Sequence, residues 1–157
     1  MTSQAKNSPG SRPILLVEDN AMDVDFALQA FAENNITNAV QVCHDGEEAL
    51  RYIQRHATPE DLQLPALVLL DLYLPKVCGL EVLRLARLDP VWICIPFIAL
   101  TSSQNPENRV RAYELGLNSY LLKPMDYKAY ANLAINLKAY WLVLNESPYA
   151  VPIRSPI

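Results

Sequence analysis

Short apolar runs alternate with longer amphipathic stretches through the central part of the chain, and this alternation limits the folds that are open to it. Four of the runs have no polar face, and a fifth is rich in β-branched residues. Short runs of this kind suit strands that are buried on both faces, as in a parallel sheet. The candidate strands are residues 14–17, 39–43, 66–70, 97–100 and 120–122.

The stretches between these runs carry apolar residues at helical spacing. Pro106 suits the first turn of a helix, and Asp126 is a good N-cap for the last one. The candidate helices are residues 23–34, 46–56, 79–89, 105–115 and 127–145. Five strand–helix repeats predict an α/β fold of the doubly wound (βα)5 type, with a five-stranded parallel sheet and helices on both faces.

The two ends of the chain differ from this central part. Residues 1–12 are polar with proline and glycine, and we expect a disordered N-terminal tail there. Residues 146–157 carry three prolines and cannot form a regular helix. We therefore expect one domain over residues 13–145, a Pro-rich C-terminal tail over residues 146–157, and no output domain after it.

Composition excludes some classes of function. The net charge of −4 argues against a surface that follows nucleic-acid phosphates. No apolar run approaches the ~20 residues needed to cross a membrane. The three cysteines form no C-x-x-C pair, which fits free thiols in a reducing compartment rather than a zinc or redox site. We expect a cytoplasmic protein.

Polar side chains follow four of the predicted strands at the point where each strand ends. Glu18 and Asp19 follow the first strand, and Asp71 follows the third. Thr101 and Lys123 follow the fourth and fifth. Ligand sites in doubly wound folds lie outside the carboxyl ends of the strands. These side chains should therefore converge at one edge of the sheet.

The convergence of three carboxylates predicts a particular chemistry. Clustered carboxylates repel one another, and a divalent cation with oxygen ligands, such as Mg²⁺, removes that repulsion. Asp71 would then be placed as a nucleophile toward a phosphoryl group. The Lys123 ammonium and the Thr101 hydroxyl would contact the phosphoryl oxygens. A cis Lys123–Pro124 bond is a candidate means of aiming the ammonium inward.

Four motifs resemble the response-regulator receiver domain of two-component signalling. They are LLVEDN, LLDLYLP followed by Gly79, ALTSS and SYLLKP, and they occur in the family's order. The resemblance covers residues 13–145 and implies a flavodoxin-like fold. It departs from the family pattern at Glu18, where the family often has Asp, and at Cys78, where it usually has Asp.

The resemblance implies a role for each of the matching residues. Asp71 would accept a phosphoryl group from a histidine kinase, with Lys123 as the phosphate partner. Thr101 would be the switch hydroxyl and Tyr120 the switch aromatic. The chain would catalyse its own phosphotransfer and autodephosphorylation and would otherwise not be an enzyme. Ligands for Mg²⁺ or Mn²⁺ would be Glu18, Asp19, Asp71 and the backbone carbonyl of Tyr73.

The predicted last helix has few charges on either side, although a surface helix normally has a charged outer face. One stripe is expected to face the sheet. A second set is expected to form the interface of a symmetric homodimer, together with the fourth helix and the fifth strand. The chain also resembles regulators of phytochrome-type histidine kinases, which tend to dimerise here. The stripe is Tyr130, Leu133, Leu137, Trp141 and Leu144. The interface set is Tyr127, Ala131, Ile135, Tyr140 and Leu142.

Other functions remain open from the sequence. A phosphatase-like hydrolase would need an Asp where Tyr73 stands. A flavodoxin-like cofactor-binding module would need a less acidic loop after the first strand. A receiver domain that only docks other proteins would not need all of these residues. A phosphorelay shuttle, which passes phosphate on to a histidine phosphotransfer protein, remains an alternative to a terminal regulator.

Overall fold

Five parallel strands form a single sheet in the order β2-β1-β3-β4-β5. The structure is a computed structural model that describes residues 11–149. The expected strands are all present, with ends that differ by one residue or none. They are β1 (Ile14–Val17), β2 (Val40–Cys43), β3 (Leu67–Leu70), β4 (Phe97–Thr101) and β5 (Ser119–Leu122).

The five expected helices are present as well. Side chains of Asn20, Asp45, Asn105 and Asp126 cap four of them by accepting hydrogen bonds from first-turn amides. A 3₁₀ turn at Trp92–Cys94 precedes β4. The helices are α1 (Ala21–Glu33), α2 (Gly46–Arg55), α3 (Gly79–Ala86), α4 (Pro106–Glu114) and α5 (Tyr127–Leu137).

Apolar side chains cover both faces of the sheet and form two clusters. Helices α1 and α5 close one face around Phe31 and Tyr130. Helices α2, α3 and α4 close the other around Trp92 and Phe97. The residues of β1 and β3 are buried throughout, as expected for central strands with helices on both sides. The doubly wound, flavodoxin-like prediction is therefore confirmed.

The end of the last helix differs from the prediction. After α5 the chain continues as a π-helical segment, Lys138–Leu144, in which the Asn145 amide donates to the Tyr140 carbonyl. The wider turn carries Leu144, at the end of the stripe, away from the sheet, so that it is 69% exposed instead of buried. Trp141, within the same segment, still packs against the cluster around Phe31 and Tyr130. Tyr130 and Leu137 are buried as predicted.

The predicted interface set divides into two groups. Ile135 and Tyr140 are more than half exposed. Tyr127 and Leu142 pack against the α1–α5 cluster, and the Tyr127 hydroxyl donates to Glu33 of α1. Ala131 is partly buried. Tyr127 and Leu142 therefore bury much of their surface within the domain and leave the rest exposed, and the interface set stays a prediction.

The described chain ends meet below the sheet, at the amino ends of the strands. Arg12 is buried, and its guanidinium donates to the carbonyls of Asp61 and Tyr149. The Tyr149 hydroxyl donates to the Val91 carbonyl, so this residue packs here and not on the outer face of α5. The remaining residues of the two predicted tails, 1–10 and 150–157, lie outside the described residues.

Glycines at two positions allow the loop between β3 and α3 to pack closely against neighbouring main chain. A Cβ atom on Gly79 would lie 2.3 Å from the Asp71 carbonyl oxygen, and one on Gly46 would lie 1.9 Å from the Val77 carbonyl oxygen. Neither position has room for a side chain. The Gly79 amide also donates to the Leu72 carbonyl, at 3.0 Å. The backbone of this loop is therefore fixed at both ends.

Arg87 ties together four segments at the amino ends of the strands. Its guanidinium donates to the carbonyls of Trp92, Ile95 and Gly116 and to the Asn118 side chain. It also lies 4.7 Å from the centre of the Phe97 ring. Burial lowers the pKa of this guanidinium, which remains charged because an arginine titrates so far above neutrality.

We predict that Arg87→Ala lowers the free energy of unfolding by about 2–4 kcal/mol, because several acceptors lose a charged donor at once. Arg84→Ala is the matched control. Its guanidinium makes an exposed ion pair with Glu81 one turn earlier in the same helix, and its loss should cost less than about 1 kcal/mol. Urea denaturation measures both values, and equal losses would contradict the role assigned to Arg87.

Candidate functional site

Two buried carboxylates lie side by side at the carboxyl ends of the central strands. Glu18 follows β1 and Asp71 follows β3, and each is less than 5% exposed. The sheet holds both in place, since the Glu18 amide donates to the Cys43 carbonyl and the Asp71 amide to the Val17 carbonyl. Carboxylate oxygens of Glu18, Asp19 and Asp71 all lie within 4.8 Å of one another, so the predicted convergence is confirmed for these three carboxylates.

The ammonium group of Lys123 lies among the carboxylates. Its Nζ atom is 2.9 Å from Glu18 Oε2, 3.0 Å from Asp71 Oδ2 and 3.2 Å from Asp23 Oδ2. The Lys123 amide donates to the Thr101 carbonyl, which fixes the end of β5 beside β4. All peptide bonds within residues 11–149 are trans, so the expectation of a cis Lys123–Pro124 bond is wrong. The lysine side chain is long enough to bring the ammonium into the site from a trans peptide bond.

Negative charge exceeds positive charge in this cluster. Four carboxylates, those of Glu18, Asp19, Asp23 and Asp71, surround one ammonium. Burial, together with the charge of Asp71, raises the pKa of Glu18 to about 7, although the Asn20 amide and Lys123 act in the opposite direction. Burial by itself lowers the pKa of Lys123, but bonds to Glu18 and Asp71 outweigh it, and that pKa is raised. The excess of carboxylates over ammonium groups gives the cluster the capacity to bind a further cation.

Thr101 and Tyr120 meet at Ser103, in the loop that follows β4. Thr101 is fully buried, and its Oγ1 atom accepts a hydrogen bond from the Ser103 amide. The partly buried Tyr120 donates its hydroxyl hydrogen to the Ser103 carbonyl, at 2.8 Å, and the Arg109 guanidinium lies over its ring. The two predicted switch residues are therefore connected through one loop residue.

Tyr73 connects the acidic cluster to the same loop. Its backbone amide donates to Asp71 Oδ1, and its hydroxyl group donates to Ser103 Oγ, at 3.2 Å. The Asn108 side chain of α4 donates to the Tyr73 hydroxyl oxygen. The ring itself is more than half exposed. The carbonyl of Tyr73 stays a predicted cation ligand.

Reasoning from the sequence missed three residues that contact the site: Asp23 beside Lys123, Ser103 beside Thr101, and Tyr130, whose hydroxyl donates to Asp23. Asp23 lies in the first turn of α1, where an acidic residue is common because it favours the helix dipole. Ser103 lies two residues beyond Thr101, and Tyr130 has the spacing of a core position. The one available signal was that Asp23 lies four residues after Asp19, which places both near the start of the same helix.

The donor set suits a small, hard divalent cation. Carboxylate oxygens are the ligands that Mg²⁺ and Mn²⁺ prefer, and an exposed carboxylate, Asp19, beside two buried ones leaves room for water or a phosphate oxygen as further ligands. The excess of negative charge gives such a cation a favourable potential.

None of the helices within residues 11–149 is long and apolar enough to cross a membrane.

The family described as "Response regulator receiver domain" matches residues 14–134 of this chain. Among curated proteins, the chain is 38% identical over 135 residues to a probable methanogenesis regulatory protein, FilR2, of Methanothrix harundinacea, covering 86% of each chain. It is 33% identical over 140 residues to the response regulator Rcp1 of Synechocystis sp., covering 89% of this chain and 94% of Rcp1.

Solved structures give the same result. The Mn²⁺-bound form of Rcp1 superimposes with a TM-score of 0.77 at 32% identity, over 88% of this chain and 99% of that one. The phosphorylated cyanobacterial phytochrome response regulator RcpA superimposes with a TM-score of 0.79 at 31% identity, with the same coverage of both chains. The similarity therefore extends over nearly the whole of both proteins.

We predict that the chain binds one Mn²⁺ or Mg²⁺ ion and that Asp19→Asn weakens the affinity at least about tenfold, since loss of outer contacts alone costs 10–100-fold at metal sites. Asp25→Asn is the matched control, because Asp25 is an exposed carboxylate of the same helix region outside the cluster. Calorimetric titration with MnCl₂ measures both affinities. Equal weakening by the two substitutions would mean that only overall charge matters.

Proposed function

Because the chain belongs to the response regulator receiver domain family, whose members accept a phosphoryl group on an aspartate, we propose that Asp71 is the accepting residue. The observation that carries this proposal is the contact of Lys123 with the buried Asp71 carboxylate, beside Glu18 and Asp19. The second oxygen of Asp71 accepts a hydrogen bond from the Tyr73 amide, so the carboxylate is held in one orientation. Fixed orientation is what phosphoryl transfer requires most.

The receiver family implies a sensor histidine kinase as the phosphoryl donor. An Asp71 oxygen forms the new P–O bond while the P–N bond of the phosphohistidine breaks, and the leaving imidazole nitrogen takes up a proton. Lys123 contacts a phosphoryl oxygen and balances part of its charge, and the Thr101 hydroxyl donates to another. Hydrolysis by water returns Asp71 to a carboxylate. Apart from this self-catalysed transfer and the autodephosphorylation that releases inorganic phosphate, the chain acts as a signalling domain.

Glu18, Asp19, Asp71 and the Tyr73 carbonyl are the proposed ligands of Mg²⁺ or Mn²⁺. Bound there, the cation neutralises charge on the carboxylates and the phosphoryl oxygens. The Mn²⁺-bound form of Rcp1 supports this choice of metal. Glu18 retains the carboxylate of the Asp that is frequent at its position, and its longer side chain still reaches the cluster.

Phosphorylation is proposed to act through Thr101 and Tyr120. A phosphoryl group brings up to two negative charges and three acceptor oxygens close to Thr101. If the threonine turns toward it, the Ser103 amide loses its acceptor and the loop that holds the Tyr120 hydroxyl can rearrange. The surface formed by α4, β5 and α5 would then change between two states.

The proposed kinase is of the phytochrome type, and the proposed location is the cytoplasm. Similarity to RcpA, a phytochrome response regulator, supports the choice of kinase. Passage of the phosphate to a histidine phosphotransfer protein is the second candidate function. A flavodoxin-like cofactor-binding role is not favoured, because the loop after β1 carries Glu18 and Asp19, which repel a phosphate-bearing cofactor.

We predict that acetyl phosphate and Mg²⁺ add one phosphate to the protein, because a small phosphodonor can replace the kinase when the site itself promotes transfer. Asp71→Asn should abolish the addition, while the control Asp25→Asn leaves it unchanged. Intact mass spectrometry measures the result. Undiminished phosphate on the Asp71→Asn protein would place the acceptor elsewhere.

A homodimer through the surface formed by α4, β5 and α5 is also proposed. Its proposed interface set on α5 and the segment after it is Tyr127, Ala131, Ile135, Tyr140 and Leu142. Ile135 and Tyr140 are 52% and 53% exposed, and the apolar side chains of Val143 and Leu144, which follow them in the chain, are exposed as well. An apolar surface of this extent on a helix commonly marks a contact with a partner, and a second copy gives an isologous interface.

For the dimer, we predict that Ile135→Asp yields a monomer, because it places a charge in the apolar contact. Asn136→Asp adds the same charge at an exposed neighbouring position and should leave the dimer intact. Light scattering during size-exclusion chromatography at tens of micromolar distinguishes the two. A monomeric wild-type protein, with or without phosphate, would refute the dimer.

A further inference from the structure

A tyrosine hydroxyl in the core shares a carboxylate with the ammonium of the candidate site. Tyr130 of α5 is 1% exposed, and its hydroxyl group donates to Asp23 Oδ1, at 2.8 Å. The other oxygen of Asp23 lies 3.2 Å from Lys123 Nζ. The three side chains therefore form a chain of contacts from the core of the α1–α5 face to the phosphoryl-accepting edge of the sheet.

The hydroxyl of Tyr130 adds a polar contact at a position that an apolar side chain could fill. The residue packs against the Phe26 ring and lies in the sheet-facing stripe of α5. A buried hydroxyl needs a hydrogen-bond partner, and Asp23 supplies it. Burial and the Asp23 carboxylate raise the pKa of Tyr130, so the hydroxyl keeps its hydrogen at neutral pH and remains a donor.

Asp23 in turn determines where the ammonium of Lys123 lies. An ammonium can donate three hydrogen bonds, and here three carboxylates each place an oxygen within 3.2 Å of the Nζ atom. Glu18 and Asp71 attract it from one side, toward the ends of β1 and β3, and Asp23 attracts it from helix α1. Without a fixed Asp23, the ammonium would have only the two acceptors that the proposed cation also contacts.

We propose that Asp23 and Tyr130 are positioning residues that hold the Lys123 ammonium where it meets the incoming phosphoryl group, with Tyr130 acting through Asp23. This inference rests on the proposed role of Asp71. The Tyr130 hydroxyl fixes one oxygen of Asp23, so the other oxygen faces Lys123 in one orientation. Loss of the hydroxyl leaves the carboxylate free to rotate, and the ammonium is then held less well during transfer.

The test compares Tyr130→Phe with Tyr127→Phe in the full chain. Both substitutions remove one hydroxyl from α5, and both hydroxyls donate to a carboxylate of α1, but the partner of Tyr127 is Glu33, at the far end of that helix from Lys123. Initial rates of phosphorylation by acetyl phosphate are followed by intact mass. Tyr130→Phe should slow the reaction roughly three- to tenfold, as expected for loss of one positioning hydrogen bond, and Tyr127→Phe should change it less than about twofold.

A second readout separates positioning from a merely structural role. The ¹⁵Nζ resonance of Lys123, observed by NMR in the folded protein, should shift in Tyr130→Phe and stay in place in Tyr127→Phe. Asp23→Asn keeps an acceptor for Tyr130 but removes the charge that faces Lys123. It should therefore slow phosphorylation and shift the resonance even if Tyr130→Phe does not fold.

A slower reaction with an unmoved Lys123 resonance would show a structural role and overturn the proposal. An unchanged rate in Tyr130→Phe or, if that variant does not fold, in Asp23→Asn would overturn it as well. Failure of the proposed function is a separate result, since it appears as phosphate on the Asp71→Asn protein whatever the two tyrosine variants do.

Discussion

One ammonium group holds the edge of the sheet together. Lys123, at the end of β5, contacts carboxylates that belong to β1, α1 and β3, so a single positive charge connects four elements. Removing the one partner of buried charges costs about 3–5 kcal/mol in other proteins. Here the ammonium also offsets part of the repulsion among the carboxylates. The negative charges of the site are only partly balanced by this ammonium, so the site favours the binding of a cation.

The sequence predicts this edge well because a general rule of parallel sheets applies to it. Glu18, Asp71 and Thr101 each follow a strand, and the carboxyl ends of parallel strands meet whatever the details of packing. The contribution of Asp23 could not be read in this way. A first-turn aspartate is explained by the helix dipole alone, and only the angle between α1 and β5 decides that one of its oxygens faces Lys123.

Packing detail also accounts for what was predicted wrongly. Regular α-helical spacing gives Leu144 a place in the buried stripe, but the π-helical segment adds residues to each turn and rotates it outward. Tyr130 kept its predicted burial, yet the pattern of apolar residues could not reveal the hydrogen bond that its hydroxyl makes. The spacing of apolar residues predicts which side of a helix is buried, but it does not predict the hydrogen bonds of single polar atoms on that side.

The glycine contacts around the β3–α3 loop have a consequence for how relatives of this domain can differ. Gly79 and Gly46 let the loop pack closely against neighbouring main chain, since a Cβ at either place would collide with a carbonyl oxygen. The side chains of Tyr73 and Lys76 add contacts from the loop to Ser103 and to Asp45. A relative with other side chains at these two positions would lose those contacts but leave room for the main chain beside Asp71, whereas a side chain at either glycine would not.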